Sequence, residues 1–447
     1  MSKNQIDKKE VLLLTVGTGD EKNREETLFK PLRLSIRDGR WSEVILLPSL
    51  VTQEWAEAVE QALAPLLIRV RPLPKAGDED DADRCFEHFD RVLAELKEEG
   101  VEAGRISVDP TRGTKMMSAA LTLAAVRRDV PNVRYIVGER DHRGAVTPGS
   151  ERIVRFKTTR IMASHRLEDA QRLFRHGNFA AVLDLLPDPG QPLTAYYWPV
   201  EFHGTMSAIR ALAEFYGAWD RLNHRTAHAV GLPELDALNG EWHAFYPNEK
   251  VREWVELLAR SFPDGDDIAT RRERKAPHLC RLMVDIWANG LRRINQGQLE
   301  DAAVRAYRVL EMTGQMLLFR HGHDSACLNP EDPAIRRYVE QQAKSGNTPM
   351  SKNKDGTLMA PRERVTGILK HLGDPMAKAL IDLGNSSVMS AKVRNSSVLI
   401  HGFQAMAPDI GTMREFYRQL REKIVLPGCE SNGEAWLTIA QTPNFEA

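Results

Sequence analysis

Short, mostly apolar runs alternate with helical patterns over roughly the first 150 residues. Val11–Thr15, Glu43–Pro48, Leu67–Val70, Ile106–Val108 and Val133–Val137 are the runs. Runs of this length without polar alternation predict strands buried on both faces, as in a parallel sheet. Between them, Asp83–Lys97 and Thr114–Arg127 carry apolar residues at helical spacing. Strand, loop and helix in repetition predict a Rossmann-like α/β domain. Residues 144–157 read as a terminal hairpin leaving it. Beyond about residue 160 the strand signal fades, and Arg166–Phe174, Ala195–Leu222, Lys250–Ser261, Leu279–Ile294, Leu299–Phe319, Arg362–Leu372 and Val388–Ile400 predict helices. Ala343–Arg364, rich in Gly, Ser, Asn, Lys and Pro, predicts a polar loop between two of them.

Composition narrows the class. Hydrophobic residues are 42% and charged residues 28% of the 447, which fits an ordinary globular protein and argues against disorder. Lys plus Arg total 61 against 62 acids, a net charge of −1 that excludes a globally basic nucleic-acid coat but permits a local basic groove. No apolar run reaches the ~18 residues of a membrane span, and MSKNQIDKKE does not read as a signal peptide, so a soluble, cytoplasmic protein is expected. Cys85, Cys280, Cys327 and Cys429 are widely spaced, which excludes a thiolate zinc knuckle and a disulfide-stapled secreted fold.

The segment Ser107-Val108-Asp109-Pro110-Thr111-Arg112-Gly113-Thr114-Lys115 ends one strand and starts a helix. It offers free N–H groups, hydroxyls and a lysine at a helix N-terminus, which suits an anion such as phosphate. The loop Thr15-Val16-Gly17-Thr18-Gly19-Asp20 ends the first strand and belongs on the same sheet edge, where ligands of open α/β sheets bind. A purely structural role, with Asp109 and Thr114 capping the helix, fits the spacing equally well. Lys22 stands where a dinucleotide fingerprint needs its third glycine, and neither loop spells a P-loop.

DPTRGTKMMSAAL resembles the D-x-T-G-G-T-K-x-M signature of CARF domains, the Rossmann-like sensors of type III CRISPR systems, and TVGTG fits their first motif. Arg112 departs from the signature, which often has glycine there. The resemblance implies a homodimer that binds a cyclic oligoadenylate across its two-fold axis. The pocket would be lined by Thr15, Gly17, Thr18 and Gly19 with Asp109, Thr111, Arg112, Gly113, Thr114 and Lys115. Arg112 would either add a phosphate or base contact or alter the preferred ring size.

Near the C-terminus, Arg394 and His401 stand seven residues apart, two turns and about 10 Å along one helix face, with Gly402 placed to end the helix. A neutral histidine can take the proton of a ribose 2′-hydroxyl while arginine holds the phosphate oxygens, so the pair suits RNA cleavage without a metal, giving a 2′,3′-cyclic phosphate. Spacing alone also admits a structural role, since Arg271 and His278 share it. RNSSVLIHG resembles the R-x₄₋₆-H motif of HEPN ribonucleases, with Asn395 following the arginine as is frequent there. Ala302–Phe319 resembles the long helix packed beside the catalytic one. Together the resemblances imply the CARF–HEPN accessory ribonucleases of the Csm/Csx type. The expected organisation is a sensor at 1–160, a helical connection at 161–280 and a HEPN-like domain at 281–447, with catalytic Arg394, Asn395 and His401. The expected partners are single-stranded RNA, a cyclic oligoadenylate and a second copy, with no metal or other cofactor. Two other readings remain at this level: a sensing dimer with an inactive helical scaffold, and a ring nuclease that degrades its own ligand.

Other features predict structure more than chemistry. His224 and His228 have a metal-compatible i, i+4 spacing but no third ligand, and His321, His323 and Asp324 read as a polar loop. Tyr196, Tyr197, Trp198, Phe215, Tyr216 and Trp219 predict core filling rather than base stacking. Arg271–Lys275 and Lys352–Lys354 read as solvated charge, with RNA guidance the alternative. Asp78–Asp81 reads as a solvated loop.

Overall fold

The computed structural model describes residues 9–139, 146–147, 149–186, 188, 198–238, 240–386, 388 and 409–442. The chain divides into two compact units, residues 1–171 with 184–207, and residues 172–183 with 208–447.

The first unit is built on a six-stranded sheet of order β3-β2-β1-β4-β5-β6. Its strands are β1 (Val11–Val16), β2 (Glu43–Pro48), β3 (Ile68–Val70), β4 (Ile106–Asp109), β5 (Asn132–Val137) and β6 (Arg152–Lys157). β1 to β5 run parallel and β6 pairs antiparallel with β5. Four helices cover the sheet: α1 (Lys30–Arg37), α2 (Gln53–Ala62), α3 (Ala82–Glu98) and α4 (Lys115–Arg127). The uniform apolarity of β1 follows from this sandwich. Leu12, Leu14 and Val16 meet Leu32 and Ile36 of α1 and Ala56 and Val59 of α2. Val11 and Leu13 lie in the opposite core with Phe89 and Leu93 of α3 and Leu121 and Ala124 of α4. A strand packed on both faces has no polar face to show. Chain order reverses between β1 and β4, so the crevice beyond their carboxyl ends is a topological switch point.

The second unit is helical. The chain reaches it along α5 (Thr159–Arg175), followed by α6 (Phe179–Leu185), α7 (His203–Asp220), α8 (His224–Ala229) and α9 (Glu249–Ala259). Then come α10 (Ala276–Asn295), α11 (Leu299–Arg320), α12 (Pro333–Lys344), α13 (Arg362–His371), α14 (Ala377–Gly384), α15 (Ile410–Leu420), α16 (Leu426–Cys429) and α17 (Gly433–Ala440). Phe174, Phe179, Phe215, Tyr216, Trp219, Trp242 and Phe245 form edge-on and stacked ring contacts in its interior, the core role their helical spacing predicts. Tyr196 and Tyr197 lie outside the described residues. α10 and α11 are tied to α15 through Tyr417, whose hydroxyl donates to the Ala302 carbonyl at 2.7 Å and whose own carbonyl accepts from Trp287 Nε1 at 3.2 Å. Gly290 makes that approach possible, since a Cβ there would lie 1.9 Å from the Tyr417 hydroxyl.

Four sequence expectations change. Residues 152–157 form one strand paired to β5 rather than half of a separate hairpin within 144–157. Ala343–Arg364 contains a two-stranded ribbon, β7 (Ser351–Lys352) and β8 (Leu358–Met359), closed by an Asp355 turn that accepts from Thr357 N at 3.0 Å. The basic run 271–275 is not solvated charge as a whole. Arg271 and Arg272 donate to the Gly322 and Arg320 carbonyls at 2.9 and 3.0 Å, where cations suit the C-terminal end of α11. Buried Lys275 pairs with Asp266 at 3.0 Å. In the acidic run, Asp78 is buried and accepts from Lys75 N at 3.0 Å, while Asp81 caps α3.

Candidate functional site

The loops after β1 and β4 meet at the switch point. β1 ends in Thr15, Val16 and then Gly17, which abuts the second loop so closely that a Cβ would fall 2.3 Å from the Arg112 carbonyl oxygen. A Cβ on Gly113 would lie 2.9 Å from Thr15 Cβ and 2.8 Å from Met117 Cβ. Gly17 is therefore required by its approach to the Arg112 backbone and Gly113 by its approach to the Thr15 and Met117 side chains, close contacts that the motif spacing alone does not show. Gly19 turns the chain at φ +64, a conformation that favours glycine.

Asp109 is buried and is used inside the protein. Its Oδ1 accepts from Thr111 N at 3.0 Å and from the Thr111 hydroxyl, and its Oδ2 accepts from Ser35 of α1. Thr111 Oγ1 in turn accepts from Ile136 N at 2.9 Å. Asp109 and Thr111 thus fix the turn and bind it to the neighbouring strand. Thr114 caps α4, its hydroxyl accepting from Met117 N at 3.2 Å and donating to the Glu79 carbonyl at 2.5 Å. Capping leaves further N–H groups of the first helical turn open to an anion, because one side-chain oxygen satisfies only one of them. Lys115 follows, exposed, at the first position of α4, and Thr18 and Gly19 are exposed on the first loop.

Arg112 is anchored within the protein through one of its nitrogens. Its Nη1 donates to the Thr27 carbonyl at 2.9 Å, pinning the segment before α1 to the second loop, and burial pushes its guanidinium pKa down. Two polar atoms at the junction, Thr15 Oγ1 and Arg112 Nε, are buried without a partner among the described residues. Sequence reasoning missed Ser35 and Thr27 as supports, since neither lies in a motif. The junction brings together a helix N-terminus, a lysine, hydroxyls and closely approaching glycines, chemistry suited to phosphate oxygens.

The other expected site, Arg394, Asn395 and His401, lies outside the described residues. Its surroundings in sequence are defined: α14 ends at Gly384 before it, and Asp409 caps α15 after it by accepting from Thr412 N at 3.0 Å. His224 and His228 do not converge on a metal. His224 Nε2 bonds to Asp285 Oδ2 at 2.8 Å, while Trp219 and Trp254 donate to Asp285 Oδ1 at 2.8 and 3.3 Å. Asp285 is fully buried and His228 is exposed. Asp266, Asp324 and Cys327 lie close enough together to hold a cation, but the Lys275 ammonium stands 3.0 and 3.9 Å from the two carboxylates. Among the described residues no helix is long and apolar enough to cross a membrane.

Residues 271–425 match the family model of the Csm6 HEPN domain, a stretch that contains Arg394, Asn395 and His401. No curated protein matches the chain. Among solved structures, Enterococcus italicus Csm6 bound to cyclic hexa-2′-fluoro-hexa-dAMP is similar in fold, with TM-score 0.55 at 12% identity over 97% of this chain and 99% of that one. The chain therefore carries a Rossmann-like domain ahead of a region that matches the Csm6 HEPN model, and its fold as a whole is similar to that of a Csm6.

Proposed function

We propose that this chain is an endoribonuclease switched on by a cyclic oligoadenylate, acting as a cytoplasmic homodimer in type III CRISPR defence. The observation that carries the reading is the HEPN match at 271–425, because it spans the one Arg-Asn…His-Gly segment in the chain. His401 takes the proton from the ribose 2′-hydroxyl, Arg394 neutralises charge on the phosphate, and Asn395 orients the pair. The attacking oxygen belongs to the RNA, so the residues themselves require no metal. Seven residues of a continuous helix would set Arg394 and His401 about 10 Å apart, and two copies of the motif facing each other across a two-fold axis would bring one residue set to each scissile phosphate.

The activator binds at the switch point. Support comes from the phosphate-suited loops and from the fold shared with a Csm6 whose bound ligand is a cyclic hexanucleotide analogue. Lys115 and the α4 N-terminus receive phosphate, with Thr18, Gly19 and Gly113 giving close backbone approach. Asp109, Thr111 and Arg112 hold the loops in shape.

The deciding experiment is cleavage of a fluorogenic single-stranded RNA in EDTA with a panel of cyclic oligoadenylates. Cleavage that one ring size activates, survives chelation and drops about 10²–10⁴-fold in His401→Ala is expected. Lys115→Ala should raise the activator concentration needed by roughly 10-fold or more, the loss of one charge-assisted contact, and leave the saturating rate intact. Wild-type turnover by His401→Ala, or activity that requires a divalent ion, defeats the assignment. Disappearance of the activator without any RNA cleavage would favour a ring nuclease instead.

A further inference from the structure

Two buried thiols from distant parts of the chain face each other in the helical unit. Cys280 on α10 and Cys429 at the end of α16 are 149 positions apart, yet their sulfurs lie 3.2 Å from each other. Both side chains are enclosed, at 2% and 3% exposure. A hydrogen-bonded thiol pair at that separation needs a closure of only about 1.2 Å to reach the ~2.05 Å of a disulfide. We propose that Cys280 and Cys429 are a site of oxidative modification, joined as an intrachain disulfide by hydrogen peroxide.

The surroundings favour bond formation. Arg320 sits against the pair, its Nη2 donating to the Gly428 carbonyl at 2.7 Å and its Nη1 3.3 Å from Glu430. A neighbouring cation favours the thiolate, which is the reactive form. The hydrogen bond between the two sulfurs, aided by Arg320 and Arg281, lowers the pKa of Cys280, while the same bond and burial push Cys429 up. Cys280 is therefore the attacking sulfur. Its thiolate displaces hydroxide from peroxide to give the sulfenic acid, and the hydroxide takes a proton to become water. The Cys429 sulfur then attacks the sulfenic sulfur, forming the S–S bond and releasing a second water. The balance is two thiols plus one peroxide to one disulfide plus two waters.

The packing also allows the approach. A Cβ placed on Gly428 would meet only the terminal methyls of Met283, Met316 and Met376, at 3.5, 3.5 and 3.9 Å. Methionine is the most adaptable of core fillers. Cys429 lies on a helical turn of four residues, and Glu430 after it stands at φ +54, so this side of the pair is a short element, not the 20-residue α10. The covalent loop would enclose residues 281–428, and with them Arg394, Asn395 and His401. Cys85, buried and pushed up to about 12 by desolvation, is the unreactive internal standard.

The test uses the full chain carrying Cys327→Ser, which removes the half-buried thiol from the mapping. Reduced protein is exposed to hydrogen peroxide under native conditions, denatured with N-ethylmaleimide, and analysed by intact mass and peptide mapping. The expected product has one maleimide, on Cys85, and one reductant-sensitive peptide pair joining Cys280 to Cys429. Its melting temperature should rise by roughly 5 °C or more, as closing a long loop requires. Recovery of both thiols as maleimide adducts after prolonged oxidation overturns the proposal. So does oxidation of either to sulfinic acid without a cross-link. Cys280→Ala and Cys429→Ala, apolar replacements chosen to fold, should each abolish the linked pair; a persistent disulfide to Cys85 in either would also overturn it.

Discussion

At the scale of single residues, the loops after β1 and β4 are held by close packing as well as by side-chain hydrogen bonds. Gly17 is the clearest case. Its φ is not in the left-handed region, so the constraint is purely one of space: a methyl would stand 2.3 Å from the Arg112 carbonyl oxygen, which belongs to backbone and cannot swing away. Gly17→Ala must therefore part the two loops. Overpacking of this kind costs about 1–3 kcal/mol. The expected outcome is a melting temperature several degrees lower and activator affinity reduced about 10-fold or more by calorimetry. Gly204→Ala, where a Cβ meets nothing within 4 Å, is the matched control and should change neither. Unaltered activator affinity in Gly17→Ala would falsify the placement of the ligand at this junction. Arg112 adds a second tie, its Nη1 donating to the Thr27 carbonyl while its Nε stays buried without a partner among the described residues.

At the scale of elements, strands were easier to read than the helical supports. β1, β2, β4 and β5 lie within a residue or so of the apolar runs that predict them, because strands buried largely on both faces stay mostly apolar along their length. α3 and α4 are legible from apolar residues at helical spacing on the one face each buries, with Asp81 and Thr114 supplying their caps. The contact between the β1 and β4 loops was legible as a shared sheet edge, but not as a clash-limited fit, since that depends on backbone geometry. The ribbon at 351–359 escaped notice because two-residue strands have no periodicity. The role of Arg271–Lys275 escaped because its acceptors are carbonyls 48 and 51 positions away. Asp285 shows how far such long-range polar pairing reaches. It reads in sequence as one polar residue on an apolar helix face, yet it gathers three N–H donors from α7, α8 and α9. Asp285→Ala leaves His224, Trp219 and Trp254 unpaired in the interior. Each lost partner costs about 1–3 kcal/mol, not additively, so a fall of roughly 3–5 kcal/mol is expected from the denaturant midpoint. His228→Ala, on the exposed side of the same short helix, should stay within about 0.5 kcal/mol. A mild Asp285→Ala would show that the node does not hold these helices together.

At the scale of the whole molecule, both units carry histidines kept neutral by enclosure, and this sets how the protein meets acid. His88 on α3 donates from Nε2 to the Arg71 carbonyl at 3.2 Å, but burial outweighs that bond and, with Arg91 and Arg71 nearby, holds its pKa below the ordinary value. His278 and His323 in the helical unit are lowered by burial in the same way. For a group depressed in the folded state, the unfolded chain binds the proton first. The stability it contributes is complete above the unfolded value near ~6.5 and drains away as pH falls below it toward the folded pKa. Carboxylates act in a separate, lower window. Asp90 is held down by the Arg128 guanidinium, and Glu99, by Arg69 and Lys9, to about 2, so their contributions persist until pH drops below ~4. Acid should therefore weaken the fold in two steps, the first from histidine alone. A difference measurement isolates one site from the other twelve histidines. In His88→Gln, which keeps a donor for Arg71 but cannot titrate, the loss of melting temperature relative to wild type should shrink between pH 7.5 and 5.5, since only the wild type pays for charging a buried imidazole. A gap that stays constant or widens over that interval would mean that His88 gains its proton as readily in the folded chain as in the unfolded one.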